Sequence, residues 1–122
     1  MTEFNISKEF VDNDIVIIKV SGFLDAHTAP KLEDEISQLL DDKKYKIIID
    51  FSSLNYISSA GLGVFMANIE IIRSNGGDIK FYNLPDKVFE VFDMLGFPML
   101  YEFYKDLNLA IEKFKEQSNA EW

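Results

Sequence analysis

Two adjacent hydroxyls, Ser58 and Ser59, stand immediately before a stretch in which Leu62, Phe65, Met66, Ile69 and Ile72 recur at helical intervals. Serine is a strong helix N-cap, because its oxygen accepts a hydrogen bond from one of the first N–H groups, which have no partner within the helix. The same unpaired groups and the helix dipole favour an anion, so a phosphate carried by a serine at this position would be held by backbone. On residue pattern alone both uses stand, cap and phosphate acceptor. Asp25 is equally open: a carboxylate in a turn before a helix either closes an Asx-type turn or serves chemistry nearby. His27 is the sole histidine and cysteine is absent, so a metal site would rest on carboxylates and none is expected. No second histidine or suitably spaced lysine is present to activate Ser59 as a nucleophile, and no catalytic residue is expected. Gly61 and Gly63 lack the Gly-Lys-Ser/Thr of a phosphate loop and the third glycine of a dinucleotide loop. Small residues there let a helix lie close to a sheet and leave room for a partner to approach the serine.

These side chains need elements to hold them. Ile47-Ile48-Ile49-Asp50-Phe51 is a continuous, mostly β-branched run without helical spacing, which predicts a central strand covered on both faces. The end of such a strand is where α/β folds carry functional loops. From it, residues 52–56 are expected to lead straight into the helix beginning near Ser59, and Asn75-Gly76-Gly77 to end that helix with a left-handed residue. Upstream, Phe4-Asn5-Ile6-Ser7-Lys8 alternates, residues 15–20 are a β-branched run, and Asp12-Asn13-Asp14 supplies turn chemistry for a hairpin. Thr28 is placed to cap a helix with Pro30 in its first turn, Leu32, Ile36, Leu39 and Leu40 in one stripe, and Asp41-Asp42-Lys43-Lys44 at its end. Downstream come a strand at 79–83 and a helix opened by Leu84-Pro85-Asp86, with Val88, Phe89, Phe92 and Leu95 inward and Gly96 at its end. A strand at 100–104 precedes a last helix capped by Asp106, with Leu107, Ala110, Ile111 and Phe114 on its inner face. Strand and helix alternating after a hairpin predict an α/β fold, a mixed sheet with later mainly parallel strands covered by about four helices.

With 122 residues the chain fits one domain, taken as 1–116, followed by a frayed polar tail at 117–122. Hydrophobic residues make up 48% and charged residues 27%, a balance that is neither disordered nor membrane-like, and no apolar run has the length to span a bilayer. The first residues lack a secretory leader, which predicts a cytoplasmic location and sets aside Asn5-Ile6-Ser7 as a glycosylation tripeptide. The lack of cysteine fits a reducing compartment. A net charge of −9 argues against direct nucleic-acid binding, because phosphate backbones demand a basic surface. It suits a protein partner with basic contact residues, and it equally serves solubility. Phe92, Met94, Phe97, Pro98 and Met99 crowd one helix end and read as core or as partner surface.

The stretch Asp50-Phe51-Ser52-Ser53-Leu54-Asn55-Tyr56-Ile57-Ser58-Ser59-Ala60-Gly61-Leu62-Gly63-Val64 resembles the signature of the STAS domain family (sulfate transporter and anti-sigma factor antagonist), in its free-standing bacterial anti-anti-sigma form. A second block, Gly22-Phe23-Leu24-Asp25-Ala26-His27-Thr28-Ala29, is similar to the family's Gly-x-Leu-Asp turn before its first helix, and the likeness continues through residues 88–104. The family's phosphorylated serine lies two residues before the Gly-Leu pair, which is Ser59 here. Many members carry aspartate just before it, where this chain has Ser58, so Ser58 is the alternative acceptor. In the family the 22–28 loop borders the phosphoserine. The resemblance therefore implies a partner-binding surface of Asp25, Ala26, His27, Thr28, Ser58, Ser59, Ala60, Gly61 and Leu62.

The function it implies is that of an anti-sigma factor antagonist. The unphosphorylated form would bind an anti-sigma factor that is also a serine kinase with its own ATP and Mg²⁺, releasing the sigma factor. Phosphorylation of Ser59 would abolish binding, and a separate serine phosphatase would restore it. Such a protein is not an enzyme, takes no cofactor or metal of its own, touches neither nucleic acid nor membrane, and acts as a monomer or weak homodimer. The alternative is a constitutive interaction subunit of a signalling assembly or transporter, its serine only a cap. A third reading, a small ligand-binding or catalytic domain, requires a deep pocket at the sheet edge with convergent polar groups.

Overall fold

The computed structural model describes residues 3–119. β1 (Asn5–Val11) and β2 (Ile15–Leu24) pair antiparallel. Their turn closes because Asp12 and Asn13 both take positive φ, 56° and 62°, a conformation that short polar side chains tolerate and that matches the twist of a hairpin. The chain continues through α1 (Ala29–Asp41), β3 (Lys46–Asp50), β4 (Leu54–Ile57), α2 (Ser59–Ser74), β5 (Asp78–Tyr82), α3 (Asp86–Met94), a 3₁₀ turn at Phe97–Met99, β6 (Glu102–Tyr104) and α4 (Leu107–Asn119). Among the described residues six strands form one sheet in the order β1-β2-β3-β5-β6, with β4 beside β2; every pairing after the hairpin is parallel. This is the mixed α/β sheet with four helices that strand and helix alternation predicts.

Three local expectations need correction. Residues 52–56 do not lead straight into a helix, because β4 intervenes. β3 stops at Asp50, whose carboxylate accepts the Ser52 N–H at 2.9 Å and also the Ser52 hydroxyl, and the chain turns there. β2 runs ten residues against the five of β3, so its far end has an open edge, and β4 takes it. Leu95 does not point inward: α3 ends one residue earlier and leaves it exposed. The strand expected at 100–104 is reduced to β6 by the preceding 3₁₀ turn, with Leu100 exposed. The backbone of α4 continues to Asn119, and of the tail expected at 117–122, residues 120–122 lie outside those described.

The two faces of the sheet are built differently. α1, α2 and α3 bury Val16, Ile18, Val20, Ile47, Ile49, Ile79 and Phe81, and Phe81 sits edge-on to Phe65 and Phe92 with ring centres 5.0 Å away in both pairs. The opposite face carries Ile15, Ile17 and Ile48 under Ala110 and Phe114 of α4. Beside them Lys80 is wholly buried, its ammonium 3.1 Å from Asp78, 2.8 Å from Glu102 and 4.6 Å from the centre of the Phe114 ring. Burial works to raise the Glu102 carboxyl, but hydrogen bonds from Lys80 and Tyr104 outweigh it and hold the group below its ordinary value of 4.5. Burial, then the bond to Glu102, pushes the Tyr104 phenol upward.

Replacing Lys80 by alanine takes the ammonium from Glu102 and leaves it the Tyr104 hydroxyl, while Asp78 keeps Arg73 at 2.9 Å. Urea denaturation of Lys80→Ala at neutral pH should show a loss of about 2–4 kcal/mol, at or below the usual cost of breaking a buried pair. A carboxyl lowered in the folded state contributes stability above its unfolded value that disappears as pH falls through the folded one. The wild type should therefore lose stability between about pH 5 and pH 3 more steeply than Lys80→Ala.

Candidate functional site

The predicted acceptor residues lie where β4 passes into α2. Ser58 is the N-cap, extended at φ −103° and ψ 173°, and its hydroxyl accepts from the Gly61 N–H at 3.4 Å while its carbonyl accepts from Leu62 at 3.1 Å. Of the two hydroxyls, the cap is thus Ser58. Ser59, the first helical residue, is exposed, and among the described residues its hydroxyl has no hydrogen-bond partner. With the Gly61 and Leu62 N–H groups engaged, those of Ser59 and Ala60 remain, among the described residues, as the two unpaired donors of the helix start.

The 25–28 loop is brought to the same place by one backbone bond: the Ser58 N–H donates to the carbonyl of Leu24 at 2.9 Å, one residue before Asp25. Asp25 Oδ1 accepts from the N–H groups of His27 at 2.9 Å and Thr28 at 3.2 Å, so the Asx-turn use of this carboxylate is realised. Thr28 stands at the N-cap position of α1 but does not cap it. Its backbone is already helical at φ −102° and ψ −21°, and its hydroxyl turns back to donate to the Phe23 carbonyl at 2.7 Å and accept from the Asp25 N–H at 2.9 Å. Ala26 and His27 are exposed at the loop tip.

Gly61 and Leu62, expected on the contact surface, are buried. A Cβ on Gly61 would lie 2.9 Å from the Leu24 side chain and carbonyl, so glycine lets α2 sit directly on the end of β2, and Leu62 packs beneath. These two residues position the site and do not face a partner. Gly63, one position further round the helix, has nothing within 4 Å of where a Cβ would be. It lines an open groove of about 420 Å³ between α1 and α2, together with Ala26, Pro30 and Ala60. Asn68 clamps the two helices below it, donating to the Glu33 carboxylate at 3.0 and 3.2 Å and to the Val64 carbonyl at 2.7 Å.

Residue pattern missed one feature of this end of the sheet. Phe23 and Tyr56, opposite each other on β2 and β4, are 47% and 49% exposed with ring centres 5.7 Å apart. The apolar cluster at the end of α3 divides: Phe92 and Phe97 are core, whereas Met94 and Met99 are 83% and 89% exposed and Pro98 is exposed with them. The cleft at the β6 edge is about 300 Å³ and is lined by Leu84, Phe89 and Phe103 with Asp86, Tyr104 and Lys105 around them. Among the described residues no three His, Cys, Asp or Glu side chains are grouped to hold a metal, and no helix is long and apolar enough to cross a membrane.

Comparison with known proteins agrees with this fold. Residues 5–110 match the family model described as the STAS domain. The chain is 32% identical over 94 residues to an anti-sigma-B factor antagonist of Listeria monocytogenes, covering 75% of this chain and 82% of that protein. It is 28% identical over 92 residues to the anti-sigma-B factor antagonist of Bacillus subtilis, covering 75% and 83%. Among solved structures, the anti-sigma factor antagonist SpoIIAA in its unphosphorylated form superposes with a TM-score of 0.81 at 22% identity, over 92% of this chain and 97% of that one. The phosphorylated form of the Bacillus cell fate determinant SpoIIAA gives 0.71 at 22% identity, over 89% and 98%. At such identities these structures speak for the fold alone.

The two glycines of the α2 entry should respond to alanine with opposite signs. Gly61→Ala forces Leu24 and the backbone of β2 apart and should cost about 1–3 kcal/mol, as overpacking does. Gly63→Ala enters open space in a helix and should gain up to about 1 kcal/mol from propensity. Urea midpoints of the two variants measure both.

Proposed function

The chain belongs to the STAS domain family, and from that membership we propose that it is an anti-sigma factor antagonist switched by phosphorylation of Ser59. The observation that carries the reading is the division of labour between the paired serines. Ser58 spends its hydroxyl on the helix cap, and Ser59 presents an unengaged hydroxyl to solvent at the first helical position. A kinase reaches the second without unfolding anything.

In the unmodified state the exposed rim formed by Asp25, Ala26, His27, Thr28, Ser58, Ser59 and Ala60 would meet an anti-sigma factor that is also a serine kinase. ATP and Mg²⁺ belong to that partner, because this chain has neither a phosphate loop nor a metal cluster among its described residues. Binding would free the sigma factor. Phosphate transfer then adds a charge of roughly −1.5 to −2 at the centre of the contact. A charge left unpaired in an interface costs about 2–5 kcal/mol, some tens-fold to thousands-fold in affinity. Asp25, held rigid by its own turn one residue from Leu24, adds a like charge on the same rim. The protein itself performs no chemistry, and a separate serine phosphatase returns it to the binding form.

The expected outcomes pair two variants against the kinase of the chain's own genome. Ser59→Ala should remain bound in the presence of ATP and gain no phosphate by intact mass. Ser59→Asp should bind at least about tenfold more weakly than wild type while keeping its thermal midpoint within a few degrees. Phosphate appearing on Ser59→Ala at the wild-type level would move the acceptor to Ser58. Undiminished binding by Ser59→Asp would leave a constitutive interaction module in place of a switch.

A further inference from the structure

The rings of Phe23 and Tyr56 do no work in the core. Their neighbours in the parallel register, Leu24 and Ile57, are 0% and 3% exposed beneath α2, while the two aromatics point to the other side of the strands and each keeps about half its surface in water. α4 covers that side of the sheet further along, at Ile15, Ile17 and Ile48. Single exposed apolar residues are ordinary; a touching aromatic pair on adjacent strands is a contiguous apolar surface.

Its position supplies the occupant. Tyr56 is three residues from Ser59, at most about 10 Å of extended chain. Phe23 precedes Leu24, whose carbonyl holds the Ser58 N–H at 2.9 Å, and the Phe23 carbonyl itself accepts the Thr28 hydroxyl of the loop. An ordinary interface covers about 800 Å² per partner, a patch of radius about 16 Å, so a protein centred on Ser59 reaches both rings. Aromatics anchor such interfaces well because they bury a large area while freezing only two side-chain torsions.

We infer that Phe23 and Tyr56 are the affinity anchor for the anti-sigma kinase, inserted into an apolar pocket or groove of that protein and bordered by a basic residue that answers Asp25. The inference rests on the reading of Ser59 as that kinase's substrate, and it separates two roles within one surface. The rings supply the binding energy of the unmodified state. The serine decides whether that energy is available.

The test measures dissociation constants between the purified anti-sigma kinase of the chain's own genome and wild type, Phe23→Ser, Tyr56→Ser, Tyr56→Phe and Ser59→Asp, with thermal midpoints as a control. Each serine variant at the ring positions should bind at least about tenfold more weakly with little change in midpoint, and Tyr56→Phe should bind within about threefold of wild type because the ring is retained. Hydrogen exchange on the wild type gives a reading independent of any variant's folding: amides at 22–25 and 55–58 should gain protection on complex formation. Ring variants that bind like wild type, or no added protection at those amides, overturn the anchor even when Ser59→Asp has lost binding. If Ser59→Asp binds normally while the ring variants do not, the switch fails and the anchor stands.

Discussion

The pairing of β4 with the far end of β2 is the constraint on which the site depends. It closes an edge that β3 leaves open, and it delivers the start of α2 to the carbonyl of Leu24. Without that backbone bond the 25–28 loop and the serine pair would be separate surface features some thirty residues apart in the chain. With it, the loop, the helix start and the aromatic pair share one rim. The register shift between Gly22 and Phe23 matters for the same reason. The extra residue is Asn55 of β4, so Tyr56 comes opposite Phe23 and Ile57 opposite Leu24, while alternation along β2 keeps Leu24 in the core and Phe23 on the other face.

The rim is rigid by construction. Asp25 and Thr28 satisfy each other's backbone and side-chain groups, Ser58 fixes the first turn of α2, and Asn68 ties α2 to Glu33 of α1. A surface held this way loses little conformational freedom when a partner covers it, so more of the contact energy appears as affinity. The elements that support the rim are those with the most complete burial: Val16, Ile18, Ile47 and Ile49 are wholly buried. Position is set by the sheet, and chemistry by the short segments at its end.

Much of this was legible in residue spacing. The stripe Leu32, Ile36 and Leu39 is local information and marks α1; Asp12-Asn13 marks the hairpin; the serine pair before Leu62 and Phe65 marks the start of α2. What spacing did not reveal is non-local. β4 was invisible because Leu54-Asn55-Tyr56-Ile57 has no clean alternation, and it is a strand only because β2 outlasts β3. Lys80 sits in Asp78-Ile79-Lys80-Phe81-Tyr82, which alternates like a half-exposed strand; α4 folding over that face is what buries the charge and demands Asp78 and Glu102 beside it. Thr28 has the right type and position for a cap, yet the Asp25 turn competes for its hydroxyl and wins. Gly61 and Leu62 belong to the motif by sequence but face inward by helical phase, which a linear signature does not encode.

Phosphate on Ser59 would act on the fold and on the interface with opposite signs, and the magnitudes decide which is felt. Near the unpaired N–H groups of Ser59 and Ala60 an anion is favourable to the helix by about 0.3–1 kcal/mol, because the dipole and the free donors both attract it. Set against a partner that must desolvate it, the same charge costs about 2–5 kcal/mol. The second exceeds the first several-fold, so modification changes who can dock while leaving the domain as stable as before or slightly more so. A serine placed in the last turn of α2 would meet the negative end of the dipole, and phosphorylation would then strain the helix as well as the contact. An acceptor at the helix start, one residue past its cap, would confine the effect of the charge to association, and that separation of binding from folding would let such a modification be applied and removed repeatedly on a protein that stays folded.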